Sequence, residues 1–146
     1  MYFTELLNEL KNKPYFEDIG IHIIKENFLH PFWKMNSSIT IEEWKRFHND
    51  KKMIIDEDKY LSEMVVSKKE IFVDEVKETD PECLLNFGIK STNLIPIKDN
   101  EKIIGFVTMP VFSKYYTYTK KDKEEIVEII GRYNEYIKEI ILWTEQ

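Results

Sequence analysis

The side chains with the widest chemical range are one cysteine, Cys83, and three histidines, His22, His30 and His48. Cys83 could serve as a nucleophile or a redox switch, but a lone cysteine more often packs as a small, semi-buried apolar residue. His22 and His30 would face each other across two strands if the chain turned at residues 25–27, and such neighbours can share a metal ion. A shift of one residue in register removes that pairing. No Cys/His cluster supplies further ligands, so we predict no metal site.

The acidic residues and glycines do not form a recognisable catalytic pattern. Carboxylates such as Asp56 and Asp58 fall at predicted helix caps and on charged surfaces, where they are solvated rather than paired for acid–base work. The glycines are too far apart for a phosphate-binding loop, and no nucleophile elbow is present. We therefore predict that the chain is not an enzyme and has no catalytic residues.

Aromatic residues are unusually frequent, at 14% of the chain. Their number exceeds what an ordinary core of this size requires, and an aromatic-lined cavity with a few polar groups is the usual form of a ligand site. Asn93 and Thr108, on two predicted strands, could supply such polar groups. The alternative is a dry aromatic core without a cavity.

Composition indicates a single globular domain spanning residues 1–146. The chain has 146 residues, 42% hydrophobic and 33% charged, with a net charge of −6 and no basic stripe, which argues against nucleic-acid binding. The first residues lack the apolar run of a signal peptide, and no stretch approaches the ~20 apolar residues needed to span a bilayer. One cysteine permits no intrachain disulfide, so we expect a cytoplasmic protein.

Hydrophobic periodicity predicts interleaved strands and helices. Residues 19–24, which are rich in isoleucine, read as one strand, and residues 28–35 read as a second. Residues 94–98 and 102–109 form the clearest strand pair, joined by a tight turn. Thr40 and Glu43 form a capping box before a short helix, and Asp56 is a candidate N-cap for another. Because the strongest strand pair is a hairpin, we predict an α+β fold with an antiparallel sheet rather than a doubly wound parallel one.

The last predicted helix carries two apolar stripes. Its heptad-like seam requires either the N-terminal helix of the same chain or a second copy of the chain as a partner. A second stripe follows Ile129, Tyr136 and Trp143. We expect a homodimer, whose predicted interface consists of Leu6, Leu10, Ile126, Ile130, Tyr133, Ile137 and Ile140.

The order of elements from about Tyr60 to Ile141 resembles a GAF domain, a family related to PAS domains. The resemblance lies in the combination and spacing of a Gly-Ile-x-Ser motif, an apolar-Pro-apolar strand and an Ile-Gly-Phe-Val strand. The first fifty residues match only in their order of elements. The matching segments are Tyr60–Val65, Glu70–Asp74, Phe87-Gly88-Ile89-Lys90-Ser91, Leu94-Ile95-Pro96-Ile97, Ile103-Ile104-Gly105-Phe106-Val107, and Tyr118-Thr119 before Lys120-Lys121-Asp122.

The resemblance implies an antiparallel sheet of about six strands, with the terminal helices on one face and short helices and loops on the other. In many family members the second side encloses a small-molecule pocket, and the terminal helices often form a dimer interface. Family ligands include cyclic nucleotides, tetrapyrroles, haem and amino acids, so the cofactor or ligand stays unknown. The predicted pocket residues are Trp33, Trp44, Phe72, Cys83, Phe87, Asn93, Phe106, Thr108, Tyr115 and Tyr116.

These observations favour a sensory or regulatory GAF-like domain that binds a small metabolite or relays a signal to a separate protein. The first alternative is an interaction module whose pocket is filled by its own side chains. The second is a small redox enzyme like the GAF-type methionine sulfoxide reductases. Those reductases use several cysteines and this chain has one.

Overall fold

The computed structural model describes residues 3–144. Within that range the chain forms five strands, five α-helices and one 3₁₀ turn. The elements, in chain order, are α1 (Thr4–Leu10), β1 (Gly20–Lys25), β2 (Phe28–Lys34), α2 (Ile41–Asp50), the 3₁₀ turn (Ile55–Glu57), α3 (Lys59–Ser67), β3 (Ile71–Val73), α4 (Glu82–Asn86), β4 (Thr92–Asp99), β5 (Lys102–Thr108) and α5 (Lys120–Thr144).

The strands form one antiparallel sheet in the order β2-β1-β5-β4-β3. The prediction of an antiparallel α+β fold is confirmed, with five strands among the described residues instead of about six. β2 lies at one edge, which is where a strand that contains Pro31 can be accommodated without losing a ladder hydrogen bond.

The β1–β2 hairpin turns at Glu26 and Asn27, whose φ angles of 54° and 66° match a two-residue type I′ turn. In the resulting register Ile23 faces His30, and His22 faces Pro31. The possible pairing of His22 with His30 therefore does not form, because the register differs by one residue from the one it requires. Since side chains alternate between faces, His22 is buried while His30 is exposed to solvent.

The two faces of the sheet carry different cores. Residues such as Ile21, Ile95 and Val107 pack under α1 and α5 in the larger cluster of buried side chains. The opposite face, which includes Leu94 and Phe106, packs with α3 and its neighbouring segments in a second cluster. This separation confirms the predicted layering, with the terminal helices on one side of the sheet and the shorter helices on the other.

One of the two predicted helix caps forms as expected. Thr40 and Glu43 form the predicted capping box at the start of α2. The cap of α3 is Asp58 rather than Asp56, because residues 55–57 form the 3₁₀ turn and Asp58 accepts hydrogen bonds from the amides of Tyr60 and Leu61. This correction matters for the site, since it places the Asp58 carboxylate at the edge of the cavity described below.

The predicted dimer seam lies inside the chain. α1 covers the seam of α5, so the apolar stripe already has an intramolecular partner. Tyr133 and Ile140 are only half-buried, and the Tyr133 hydroxyl donates a 2.6 Å hydrogen bond to Glu9 on α1. Five of the seven side chains of the predicted interface are therefore buried within the chain, which leaves Tyr133 and Ile140 as its partly exposed members. The five buried members of the predicted interface, each exposed by at most 1%, are Leu6, Leu10, Ile126, Ile130 and Ile137.

Candidate functional site

A cavity lies between the sheet and the layer of short helices, on the face opposite α1 and α5. It has a volume of about 80 Å³ and is partly open to solvent. A surface groove that shares Met53, Asp58, Pro81 and Cys83 with its wall adjoins it. The wall is mostly apolar. All five strands contribute to it, β3 through Val73, and so do α2, α3 and α4; among its other members are Leu29, Leu61, Leu84, Leu94 and Phe106.

Half of the predicted pocket residues line this cavity. Trp44 enters it from α2, Cys83 from α4, and Phe87 from the residue after α4. Phe106 and Thr108 enter it from β5, on the face that points away from the terminal helices. These five residues therefore share one site, although they are spread over residues 44–108.

Asn93 and Phe72 lie on the opposite face of the sheet from the cavity. Asn93 accepts a 3.1 Å hydrogen bond from the Met109 amide and is fully buried near the Tyr118 hydroxyl. The Phe72 ring packs against Tyr118, with their centroids 5.2 Å apart. The prediction placed both residues in the pocket because the sequence alone did not show which alternate residues of β3 and β4 face the cavity.

Trp33, Tyr115 and Tyr116 also lie outside the cavity wall. Trp33 packs against Phe3, with centroids 4.5 Å apart, beneath the terminal helices. Tyr115 is exposed, with the Lys90 ammonium 5.5 Å from its ring centroid. Tyr116 donates a 2.7 Å hydrogen bond to Asp122 at the start of α5. These three rings therefore pack on the terminal-helix side of the sheet or lie at the protein surface, and they do not contribute to the cavity.

His22 is the most unusual side chain in the cavity wall. Its ring stacks on Phe106 at 4.8 Å and meets Trp44 edge-on at 4.9 Å. Both ring nitrogens are buried, and neither has a hydrogen-bond partner among the described residues. Burial, and then the nearby His48, hold the pKa of His22 well below its usual range. The ring is therefore neutral at physiological pH, with one N–H donor and one lone pair unused.

His48 lies beside His22, with ring centroids 5.0 Å apart. Its Nδ1 is 2.8 Å from the Trp44 carbonyl oxygen. Because a carbonyl only accepts, Nδ1 carries the hydrogen and Nε2 is left as an acceptor. Burial lowers the pKa of His48, and the hydrogen bond to Trp44 opposes that effect. The two histidines thus form a neutral polar pair within an otherwise apolar wall.

A buried ion pair forms one end of the wall. The Lys34 ammonium is 3.0 Å from Asp18, and both side chains are at most 4% exposed. The same ammonium donates to Ser37 and to the carbonyls of Met35 and Ile39, at 2.8 to 2.9 Å. The lysine has no donor left over, and the two charges compensate each other, so this end of the cavity is polar but already satisfied.

The remaining polar groups of the wall are engaged as well. The hydroxyls of Thr92 and Thr108 are 2.9 Å apart and bond to each other. Asp58 caps α3, and burial raises the pKa of its carboxyl group. Among the described residues, His22 is the wall side chain whose buried polar atoms have no hydrogen-bond partner.

Cys83 shows none of the features of a reactive thiol. Burial, and then the negative charge of Asp58, raise the pKa of Cys83 to about 12, so the thiol stays protonated near neutral pH. Within residues 3–144, no group of three or more His, Cys, Asp or Glu side chains is arranged to hold a metal ion. The site therefore presents hydrogen-bonding groups rather than a nucleophile.

Sequence reasoning missed the role of His22 and His48, although signals for both were present. Ile21 and Ile23 mark one face of β1, and strand alternation then directs His22 to the other face, with the short helices. His48 is four residues after Trp44 on an amphipathic helix, which places both side chains on the same face. The Asp18–Lys34 pair had no comparable signal, because the two residues meet only through the β1–β2 hairpin.

Comparison with solved structures identifies the architecture. The structure of the GAF domain/HD domain protein from Geobacter sulfurreducens matches with a TM-score of 0.74 at 10% identity, covering 97% of this chain and 92% of that chain. The GAF domain of a two-component sensor histidine kinase from Bacillus halodurans matches with a TM-score of 0.71 at 14% identity, covering 98% and 95%. The chain has the GAF fold.

The GAF fold also occurs in an enzyme among the matches. A type II free methionine-R-sulfoxide reductase from Thermoplasma acidophilum has a TM-score of 0.62 at 15% identity, with coverage of 88% of this chain and 82% of that chain. At the level of sequence, no family model and no curated protein matches. The likeness to solved structures therefore establishes the GAF fold alone. Among residues 3–144, no helix is long and apolar enough to cross a membrane.

Proposed function

We propose that this GAF-like chain is a non-catalytic sensory module that binds a small molecule in the cavity beside His22. The observation that carries the proposal is the buried ring of His22, a residue of the cavity wall whose two nitrogens have no hydrogen-bond partner among the described residues. A buried polar group without a hydrogen bond costs free energy, on the order of 1–3 kcal/mol. A bound molecule that supplied the missing partner would remove that cost.

The wall composition supports the same proposal. Ligand sites are concave and mostly apolar, with a small number of polar groups that fix the orientation of the ligand. Here Trp44, Phe87 and Phe106 provide aromatic surface, and His22 and His48 provide the polar groups. Ligand occupancy would be passed to a separate partner protein through α4 or the helices around it.

The reductase alternative has less support from the site. Its chemistry requires cysteine nucleophiles, whereas Cys83 is the only cysteine and its pKa is raised to about 12. A protonated thiol is a poor nucleophile. The same lone cysteine supports the proposal that the protein resides in the reducing cytoplasm.

We also propose that two copies associate through the outer stripe of α5. The predicted seam is buried within the chain, but Tyr136 and Trp143, on the same helical face, are 40% and 76% exposed. Exposed aromatic side chains aligned on one helix are typical of an interaction surface. The proposed interface is therefore the outer stripe of α5 rather than the buried seam that was predicted from the sequence.

Native mass spectrometry followed by a thermal-shift screen with a metabolite library tests the ligand proposal. A molecule present at 100 times its Kd stabilises by about 2.7 kcal/mol, which corresponds to a rise of roughly 5–10 °C in Tm for a chain of this size. Leu84→Trp fills the cavity from α4 and should abolish the shift. Leu85→Trp, at the next and 43% exposed position of the same helix, is the matched control and should retain it.

Two results would contradict the proposal. One is the absence of any retained molecule together with no shift across the library, which would favour an interaction module without a ligand. The other is a shift that survives Leu84→Trp unchanged, which would place the binding site elsewhere.

A further inference from the structure

The polar groups of the cavity wall differ in whether they can serve a ligand. The charges of Asp18 and Lys34 compensate each other, and the Lys34 ammonium is saturated by Ser37 and two backbone carbonyls. These groups could bind a ligand only by breaking contacts that they already make. A buried pair opened in this way loses several kcal/mol. The ligand is therefore not recognised through this ion pair.

Asp58 is the other charged residue of the wall. Its Oδ1 accepts two 3.0 Å hydrogen bonds, from the amides of Tyr60 and Leu61. These bonds, together with the positive end of the α3 dipole, already stabilise the carboxylate. We assign Asp58 to the start of α3 rather than to an incoming charge, and the cation benzylamine tests that assignment below.

The groups left for recognition are uncharged. Burial lowers the pKa of both histidines, so His22 offers one N–H and one lone pair, and His48 offers the lone pair of Nε2. A charged ligand group placed against these rings would lose its hydration without gaining an opposite charge. A neutral group that can both donate and accept a hydrogen bond matches them.

The aromatic rings and the cavity volume restrict the rest of the ligand. Phe106 stacks on the His22 ring, and Trp44 contacts the same ring edge-on, so aromatic side chains surround His22. The volume of about 80 Å³ is roughly half that of an engineered apolar cavity known to bind benzene, ~150 Å³. A single ring can enter such a space in part, with the remainder extending toward the open side, whereas a fully enclosed tetrapyrrole or nucleotide does not fit.

From these observations we propose that the cavity selects a compact, uncharged, single-ring aromatic molecule that bears a hydroxyl or N–H group directed at His22. This inference rests on the proposed function and specifies its ligand class. His22 and His48 provide the hydrogen bonds, and Trp44, Phe87 and Phe106 provide the surface that excludes charged or strongly hydrated analogues.

Four ring compounds of similar size test this ligand class by calorimetric titration of the full chain. Phenol is neutral with a hydroxyl, toluene is its apolar counterpart, benzoate is an anion and benzylamine is a cation. Phenol should bind at least tenfold more tightly than either charged compound. In His22→Phe, which keeps the aromatic stack with Phe106, the ratio of the toluene Kd to the phenol Kd should fall about tenfold, since one hydrogen bond is lost.

A fold control separates loss of binding from loss of structure. His30→Phe changes the exposed histidine of β2 and should leave every affinity unchanged. Retained toluene binding by His22→Phe would show that its cavity is intact. If His22→Phe does not fold, His22→Gln, which keeps a donor and an acceptor, provides the second measurement and should preserve the preference for phenol over toluene.

The outcomes distinguish this inference from the function on which it rests. Tighter binding of benzoate or benzylamine, a toluene-to-phenol ratio unaffected by His22→Phe, or no binding of phenol would overturn the ligand class. The sensory proposal would survive any of those results if a library compound produced a shift that Leu84→Trp abolished. It fails separately if no molecule is retained and no compound shifts Tm.

Discussion

The buried ion pair Asp18–Lys34 can be tested by removing the cation. In Lys34→Met the Asp18 carboxylate keeps the hydroxyl of Ser37 and the amide of Ile19, at 2.9 and 2.8 Å, but loses its only ion-pair partner among the described residues. The carbonyls of Met35 and Ile39 lose a donor as well. Both side chains of the pair are at most 4% exposed, so water cannot replace the ammonium.

The expected cost follows from leaving a charge buried and unpaired. Breaking such a pair from one side typically costs about 3–5 kcal/mol. For a chain of this length each kcal/mol lowers Tm by roughly 2–4 °C, so Lys34→Met should melt about 6–20 °C below the parent chain. Urea unfolding followed by far-UV circular dichroism provides the matching free energy of unfolding.

A second substitution separates the charge from the packing. Asp18→Asn in the Lys34→Met background removes the uncompensated charge while keeping the shape of the side chain, and should recover about 1–3 kcal/mol relative to additivity. Lys13→Met is the control, because its ion pair with Glu125 is about 32% exposed on each side and should contribute only ~0.2–1 kcal/mol. A cost below about 1 kcal/mol for Lys34→Met, or strictly additive effects, would refute the reasoning.

Three further predictions concern backbone space, pH and association. Gly105→Ala should lower the free energy of unfolding by roughly 1–3 kcal/mol or more, since the added Cβ would lie 2.4 Å from the His22 carbonyl oxygen. In Gly131→Ala, on α5, the added Cβ meets no atom within 4 Å, so this substitution should raise the free energy of unfolding by ~0.5–1 kcal/mol. Urea unfolding measures both changes. Burial lowers the pKa values of His22 and His48 in the folded state, so below the unfolded value of about 6.5 the unfolded chain takes up these protons more readily than the folded chain. Stability should therefore fall by about 1–2 kcal/mol from pH 6.5 to 5.5, since each histidine contributes at most about 1 kcal/mol over this interval, and it should fall by less in His22→Phe; a flat profile would contradict the burial of neutral histidines. Trp143→Lys should shift sedimentation from dimer toward monomer, and a parent chain that is already monomeric at high concentration would exclude the association.

Local signals were enough to predict much of the fold. Thr40 and Glu43 specify a helix start through their own side chains, and the capping box forms as the spacing requires. The β4–β5 hairpin follows from two apolar runs around a turn, where Asn100 adopts a φ of 57°. Such features depend on residues close together in sequence, so a single sequence contains the information that determines them.

It was harder to predict which residues of each strand point to which face of the sheet. β1, β4 and β5 are central strands with apolar residues on both faces, so the usual alternation of polar and apolar residues is absent. Asn93 shows the consequence: as a polar residue on such a strand it looked like a pocket group, but it is buried on the terminal-helix face, where it holds the Met109 amide. Choosing the face required the three-dimensional register.

The partner of the α5 seam could not be decided from the helix itself. Ile126, Ile130 and Ile137 require apolar cover, and α1 or a second chain would satisfy the same pattern. What decides between them is the path of residues 11–19, which brings α1 back over α5, where Arg132 and Tyr133 bond to Glu9 at 2.7 and 2.6 Å. Contacts of this kind join residues more than a hundred positions apart and leave no local pattern.

The energetics of His22 connect this fold to its proposed use. An aromatic residue at that position could stack on Phe106 equally well and would leave no nitrogen without a partner. The histidine therefore lowers stability relative to such a residue, by about the 1–3 kcal/mol of an unsatisfied buried group. Elsewhere in the wall the polar atoms of Lys34, Thr92 and Thr108 are all satisfied, so the deficit is confined to one place. Under the proposed function, a molecule that entered the cavity and bonded to His22 would recover this deficit, so that ligand binding would also stabilise this layer.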